Sequence, residues 1–119
     1  MLMGVIRSSD RQAGASKFSG VIGKILVDPD ADAGAVTLGE LVIQPGAELP
    51  LHKHLVEEAF FIFEGQGIAL IGEDEIPIGA GDAVLAPTGV FHGFCNNSHR
   101  ELKMAFFYPA VNPATDFKV

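Results

Sequence analysis

The sequence predicts an all-β domain, a sandwich or a barrel, and three observations carry that expectation. Turn formers recur roughly every six to twelve residues from Val21 to Tyr108, the runs between them are rich in β-branched and aromatic residues, and no helical periodicity persists. With 119 residues, 48% of them hydrophobic and 19% charged, the chain has the size and composition of one packed domain.

Residues 1–19 read as a polar N-terminal arm, with at most a short strand around Val5 and Ile6. Residues 20–108 form the expected barrel domain. Its first strand, Gly20 to Val27, is closed by Asp28-Pro29-Asp30, and the aspartates here lack the glycine and distal glutamate of an EF-hand loop, so they read as a solvated turn. Ala35 to Gln44 is the next strand, stopped by Pro45-Gly46; Leu49 to His54 and Ala59 to Glu64 follow. In the last of these, Phe60 and Ile62 share parity while Phe61 and Phe63 face the other way, so both faces call for cover.

Ile68 to Ile71 and Ile76 to Ile78 flank an acidic hairpin tip at Gly72 to Glu75, and Pro77, which cannot donate to a ladder, assigns its segment to an edge or a strand start. Ala83 to Ala86, Val90 to Cys95 and Leu102 to Tyr108 complete the strands. Residues 109–119 are a tail with two prolines, expected to pack on or near the barrel.

Charge and targeting signals narrow the function. Eight basic residues against fifteen acidic ones give a net charge of −7, and no Lys/Arg cluster is present, which speaks against nucleic acid and anionic membranes as partners. Met1 to Ile6 lacks a basic lead-in, and no apolar run has bilayer-spanning length. A soluble protein without a targeting segment is therefore expected. The single cysteine, Cys95, allows no internal disulfide and fits a reducing cytoplasm.

The chemistry concentrates between Gly46 and Gly65. On a strand, His52 and His54 point the same way, and Glu58 joins them if the turn at Leu55 to Glu57 keeps the parity. Two imidazoles and a carboxylate make half of a metal site. Of the two remaining histidines, His92 is the better candidate for a further ligand, because Pro87 and Gly89 form a turn that re-aims its strand, whereas His99 lies in a polar turn and reads as exposed. Glu57 has the opposite parity to Glu58 and is expected to face solvent. Phe60, Ile62 and Phe94 share parity with the ligands and are the expected pocket lining, while Phe91, Phe106 and Phe107 read as core. Cys95 falls on the opposite face from His92 and reads as an apolar filler, and Asn96 as a turn former. No acid or base inside the pocket stands out, and Gln66, Lys103 and Tyr108 are the polar side chains that look near it.

These residues resemble the cupin superfamily. Gly46, His52, His54, Glu58 and Gly65 match G-x5-H-x-H-x3-E-x6-G, and Gly81, Pro87, Gly89, His92 and Asn96 match G-x5-P-x-G-x2-H-x3-N. The resemblance implies a double-stranded β-helix, or jelly-roll barrel, holding one divalent transition metal on His52, His54, Glu58 and His92. Imidazole and carboxylate together suit Mn, Fe, Co, Ni, Cu or Zn, and four protein ligands on an octahedral ion leave two positions open. Lewis-acid polarisation, activation of water and dioxygen chemistry all use such a vacancy.

The expected function is that of a metal-binding single-domain cupin acting on a small oxygen-chelating molecule, as a dioxygenase or as a lyase or isomerase working through an enolate. A sugar- or uronate-processing cupin and a non-catalytic binding or sensory module are the alternatives. The aromatic strands, the arm and the resemblance together imply a homodimer.

Overall fold

The computed structural model of the chain describes residues 4–14 and 17–118. Met1–Met3 and Ala15–Ser16 of the expected arm, and Val119 at the end of the tail, lie outside the described residues. The strands are β1 (Val21–Val27), β2 (Thr37–Ile43), β3 (Glu48–Lys53), β4 (Glu58–Glu64), β5 (Gln66–Ile71), β6 (Asp74–Gly79), β7 (Ala83–Ala86), β8 (His92–Cys95), β9 (Leu102–Tyr108) and β10 (Asp116–Phe117). They form two antiparallel five-stranded sheets, ordered β1-β2-β9-β4-β7 and β10-β3-β8-β5-β6. The all-β expectation and the double-stranded β-helix implied by the resemblance both hold.

Alternation builds the core. Thr37, Leu41 and Ile43 on β2, Glu58, Phe60 and Ile62 on β4, and Leu102, Met104 and Phe106 on β9 all point inward and are buried. Ile43, Ile62, Phe94, Leu102 and Met104 are fully buried between the sheets, each contributing about 1.5–3 kcal/mol by leaving water. Pro77 sits on β6, an outer strand of its sheet, as its missing N–H requires. Gly72, with φ of 60°, opens the tight β5–β6 hairpin as the first residue of its two-residue loop.

The tail contributes β10, which pairs with β3 through Asp116↔Lys53 and Phe117↔His52. Two expectations differ from the structure. Around Val5 the strand is reduced to a single bridge residue, Val5 itself, followed by a short 3-10 turn, Ser8–Asp10. Finally, the outer face of β4 is uncovered within one chain: Phe61 and Phe63 are about half exposed, because packing two sheets together buries only one face of each.

The solvated turn has a structural role. Asp28 accepts from the Asp30 N–H, capping the 3-10 turn Pro29–Ala31, and pairs with Arg11 of the arm at 2.7 Å. Arg11 also donates to the Ile25 carbonyl, and the Gly14 N–H to the Gly23 carbonyl, so the arm lies along the free edge of β1.

Asn96 does more than terminate a strand. Fully buried, it donates to the Ile43 and Arg100 carbonyls and accepts from the Ser98 N–H and hydroxyl, tying the start of the β8–β9 connection to β2. Truncation strands those buried groups. Asn96→Ala is expected to lower stability by about 1–3 kcal/mol, and urea unfolding measures it; an unchanged midpoint would show that the network contributes nothing net.

Candidate metal centre

The two motifs meet as one ladder. β3 and β8 pair through Glu48↔Cys95, Leu49↔Phe94 and His52↔His92, with an irregularity between Leu49 and His52. At one end the Gly46 N–H donates to the Asn96 carbonyl and the Asn96 N–H to the Ala47 carbonyl; at the other the Gly89 N–H donates to the His54 carbonyl. Gly93 permits the close approach, since a Cβ there would collide with the Leu49 carbonyl and crowd Pro50. The four motif glycines Gly46, Gly65, Gly81 and Gly89 all have φ between 74° and 95°, the left-handed region that disfavours any side chain.

His52, His54, Glu58 and His92 come together with one ligand atom from each lying within 4.8 Å of the others, and all four are buried. Glu58 Oε1 is 2.9 Å from His92 Nε2 and 3.2 Å from His54 Nε2. Adjacent ligands on an octahedral ion with bonds of about 2.1 Å lie about 3 Å apart, so these spacings fit a transition metal.

Tautomers give a second test of fit. His52 Nδ1 donates to the Pro50 carbonyl at 2.9 Å, His54 Nδ1 to the Ala114 carbonyl at 2.9 Å and His92 Nδ1 to the Val90 carbonyl at 3.1 Å. A carbonyl only accepts, so each Nδ1 carries the proton and each neutral ring presents an Nε2 lone pair. The Nε2 atoms of His54 and His92 thus face a carboxylate oxygen, acceptor against acceptor. Such a cluster calls for positive charge at its centre, supplied either by protons or by a metal ion.

The electrostatics agree. Burial lowers the His52 pKa to about 4, keeping that ring neutral and its lone pair free near pH 7. For His54 burial opposes charging, but Glu58 and the Ala114 carbonyl outweigh it and raise the pKa. Burial would likewise raise Glu58, yet when protons supply the central positive charge, hydrogen bonding with His54 and His92 prevails and holds it below the usual carboxylate range. Glu58 is therefore an anion with cation-seeking neighbours.

Beside this cluster lies a cavity of about 200 Å³. Phe60 lines it, along with Leu41, Leu49, Phe106, Tyr108 and Phe117. Ile62 and Phe94, the other expected lining residues, lie in the core and outside the cavity wall: both point inward, but Ile62 is further along β4, and Phe94 packs edge-on beneath Phe60 with ring centroids 4.9 Å apart. Phe106, expected as core, is both buried and lining; Gly39 makes room for its ring, with which a Cβ would collide. Among the described residues no Lys or Arg lines the cavity.

Of the polar side chains expected nearby, Tyr108 alone reaches the centre, its hydroxyl 3.1 Å from His54 Nε2. Burial, and then the Glu58 carboxylate, push its phenol pKa far up, so it stays protonated and acts as a donor. Lys103 instead pairs with Glu64 and Glu101, and Gln66 lines a separate groove with Ser98, His99 and Arg100. His99 and Glu57 are exposed and Cys95 half-buried, away from the cluster. Thr115 and Phe117 on the tail were hidden from sequence reasoning; the Phe117 ring packs on His52 at 5.4 Å between centroids.

Replacing Glu58 by Gln is expected to reduce bound metal by at least about tenfold at limiting concentration, while Glu57→Gln leaves it unchanged. Elemental analysis of tag-free protein reads both. Equal loss in the two variants would refute the assignment to Glu58.

Comparison with known proteins reaches the same place. A curated relative, gentisate 1,2-dioxygenase of a Ralstonia species, is 33% identical over 61 residues, covering 50% of this chain and 17% of that protein. Auxin-binding protein 1 of Arabidopsis thaliana is 30% identical over 69 residues, covering 50% of this chain and 35% of its own length. The chain thus spans well under half of either relative. Among solved structures, the polyketide cyclase RemF from Streptomyces resistomycificus superposes with a TM-score of 0.86 at 20% identity, over 99% of this chain and 87% of that one. A predicted oxalate decarboxylase from Thermotoga maritima gives 0.78 at 25% identity, over 90% and 99%. The cupin domain family model matches residues 39–108, which contain both motifs and all four clustered side chains, and the chain belongs to that family.

Proposed function

We propose that this protein is a metal-dependent enzyme acting on a small organic molecule that chelates through two oxygens and carries an apolar body. The observation behind this reading is the convergence of three Nε2 lone pairs and one carboxylate beside an apolar, aromatic-walled cavity. A divalent ion held by His52, His54, Glu58 and His92 would supply Lewis-acid polarisation of the substrate's oxygens and a vacant position for a second reactant.

The protein's own residues have separable tasks. The Pro50, Ala114 and Val90 carbonyls hold the three imidazoles in orientation. Phe60 and Phe106 present apolar surface to the substrate body and exclude water, which strengthens every electrostatic contact inside. Tyr108, kept protonated, donates a hydrogen bond to an oxygen gathering negative charge next to His54.

Oxygenation and proton abstraction next to a carbonyl both suit this arrangement. Uronate processing suits it less, because a polyhydroxylated substrate needs more hydrogen-bond partners than Tyr108 and Thr115 offer. The single cysteine fits work in the cytoplasm.

Metal-loaded protein incubated with a panel of catechols, β-diketones and flavonols is expected to turn over at least one, with oxygen uptake for an oxygenase or product without uptake for a lyase or isomerase. Tyr108→Phe should then lower kcat/KM on the order of a hundredfold with metal content retained. Metal at full stoichiometry with neither turnover nor binding across the panel would overturn the enzymatic reading.

The working unit in this proposal is a homodimer. Phe61, Phe63, Leu85 and Phe107 expose a continuous apolar strip on the outer face of one sheet, where Ala59 pairs with both Leu85 and Phe107. Sedimentation is expected to give twice the 12.6 kDa chain mass, and Phe61→Glu to shift the species to monomer. A wild-type mass equal to one chain would refute the dimer.

A further inference from the structure

We infer that the C-terminal tail is a strap whose docking on the barrel is coupled to occupancy of the metal centre, each favouring the other. This rests on the metal-centre reading above and adds regulation to that site: a terminal segment that fastens when the centre is filled and loosens when it is empty.

His54 is the contingent member of the cluster. His52 and His92 are oriented by the Pro50 and Val90 carbonyls, each two residues away along the same stretch of chain, so that support travels with the ring. His54 Nδ1 instead donates to the Ala114 carbonyl, 60 residues along the chain and on the exposed tail. The Thr115 hydroxyl, 3.5 Å from the same nitrogen, belongs to the tail as well. His52 also leans on this segment, since it faces Phe117 across the β3–β10 pairing and carries the Phe117 ring at 5.4 Å between centroids. The tail therefore backs two of the three clustered imidazoles.

Its attachments grade from firm to weak. At the foot, the buried Thr37 hydroxyl donates to the Ala110 carbonyl at 2.8 Å. Beyond the foot Asn112 sits in the left-handed region with φ of 47°, and Pro113 follows, so a kink separates the anchored part from the rest. Past the kink come β10, an outer strand of only two residues, the Lys118 N–H on the Leu51 carbonyl at 3.0 Å, and the Phe117 ring 5.3 Å from that of Phe18. The Lys53–Asp116 pair, at 4.0 Å with Asp116 largely exposed, adds little. Ala114, Thr115, Asp116 and Lys118 are all exposed. A segment held by so few buried contacts and by exposed backbone bonds opens locally, well below the cost of global unfolding.

The coupling follows from the shared hydrogen bond. A metal ion on His54 Nε2 requires the proton on Nδ1 and, by withdrawing electron density from the ring, strengthens that N–H as a donor to Ala114. Undocking removes the acceptor, frees the His54 ring to turn and uncovers His52. By linkage, whatever the docked strap adds to metal affinity, a bound metal returns as strap stability.

The test uses the full chain and Zn²⁺ alone, whose diamagnetism lets single amides be followed by NMR. Saturating zinc is expected to slow hydrogen exchange of the Lys118 amide by at least about fivefold. Lys118→Pro removes that N–H at a residue outside the cavity wall. It should weaken zinc binding by at least about fivefold in competition with a chelator, whereas Lys118→Ala, which keeps the N–H, should stay within about twofold of wild type. Phe117→Ala should also weaken zinc and serves if the proline impairs folding. Lys118 exchange unchanged by saturating zinc, or the same zinc affinity in the Pro, Ala and wild-type chains, would each overturn the coupling while leaving the metal centre standing. Wild-type protein that takes up neither zinc nor any other divalent transition metal would instead sink the metal-centre reading itself.

Discussion

The ladder between β3 and β8 is the constraint on which the rest depends. It begins where Gly46 and Asn96 exchange hydrogen bonds across the loop ends, runs through Glu48↔Cys95 and Leu49↔Phe94, and closes with His52 opposite His92. Gly46, His52, Gly89, His92 and Asn96, half of the fixed positions of the two motifs, act on this ladder or at its ends. Gly89 ties the far turn to the His54 carbonyl, and Gly65, where a Cβ would strike the Glu101 carbonyl, turns β4 away once Glu58 has been delivered. The His, His, Glu, His cluster is thus a consequence of strand register: a one-residue slip of β8 would send His92 to the opposite face and leave Glu58 buried with half its partners.

Burying four polar groups is costly unless their geometry is satisfied, and the fold satisfies them from behind. Three backbone carbonyls take the Nδ1 protons, and among the described residues no buried side-chain nitrogen or oxygen lacks a partner. Two of those carbonyls lie within two residues of the histidine they serve, Pro50 for His52 and Val90 for His92, so local strand geometry orients the rings. The third, Ala114, comes from the tail. The tail therefore belongs to the site: it orients His54 through Ala114 and screens His52 through the Phe117 ring.

The four clustered residues were legible in the sequence because their signals are short-range. Period-two parity aligns His52 with His54 within one strand and its end, and the Leu55 to Glu57 turn is short enough to carry that parity to Glu58. The burial of Glu58 and exposure of Glu57 follow from the same count. Parity reports a face and not a depth, however. Phe60, Ile62 and Phe94 all face inward, yet only Phe60 meets the cavity, because distance along the barrel axis decides between wall and core. Tyr108 reads as a nearby polar side chain but not as a partner of His54, and Phe117 was harder still. Tyr108 reaches His54 across 54 residues of chain through the β2–β9–β4 pairings, and β10 is only two residues long, too short for any strand pattern to announce it.

That division between legible and hidden residues follows the division between what is generic and what is particular in the site. A His, His, Glu, His cluster would, with a divalent ion bound, set the charge and the open coordination, properties compatible with many reactions. Structures sharing this fold include a polyketide cyclase and a predicted oxalate decarboxylase, so the fold cannot by itself select a reaction. Selection falls to the wall. Here the wall has aromatic rings, no cation to pair with a second carboxylate among its described residues, and one buried phenol aimed at the centre. A small dianion such as oxalate would bring a second charge with nothing to neutralise it, at a desolvation cost that two metal bonds alone must offset. In the proposed reading an aromatic chelator would leave its charge at the metal and set its ring against Phe60 and Phe106, so each part of the molecule would meet a surface of matching polarity.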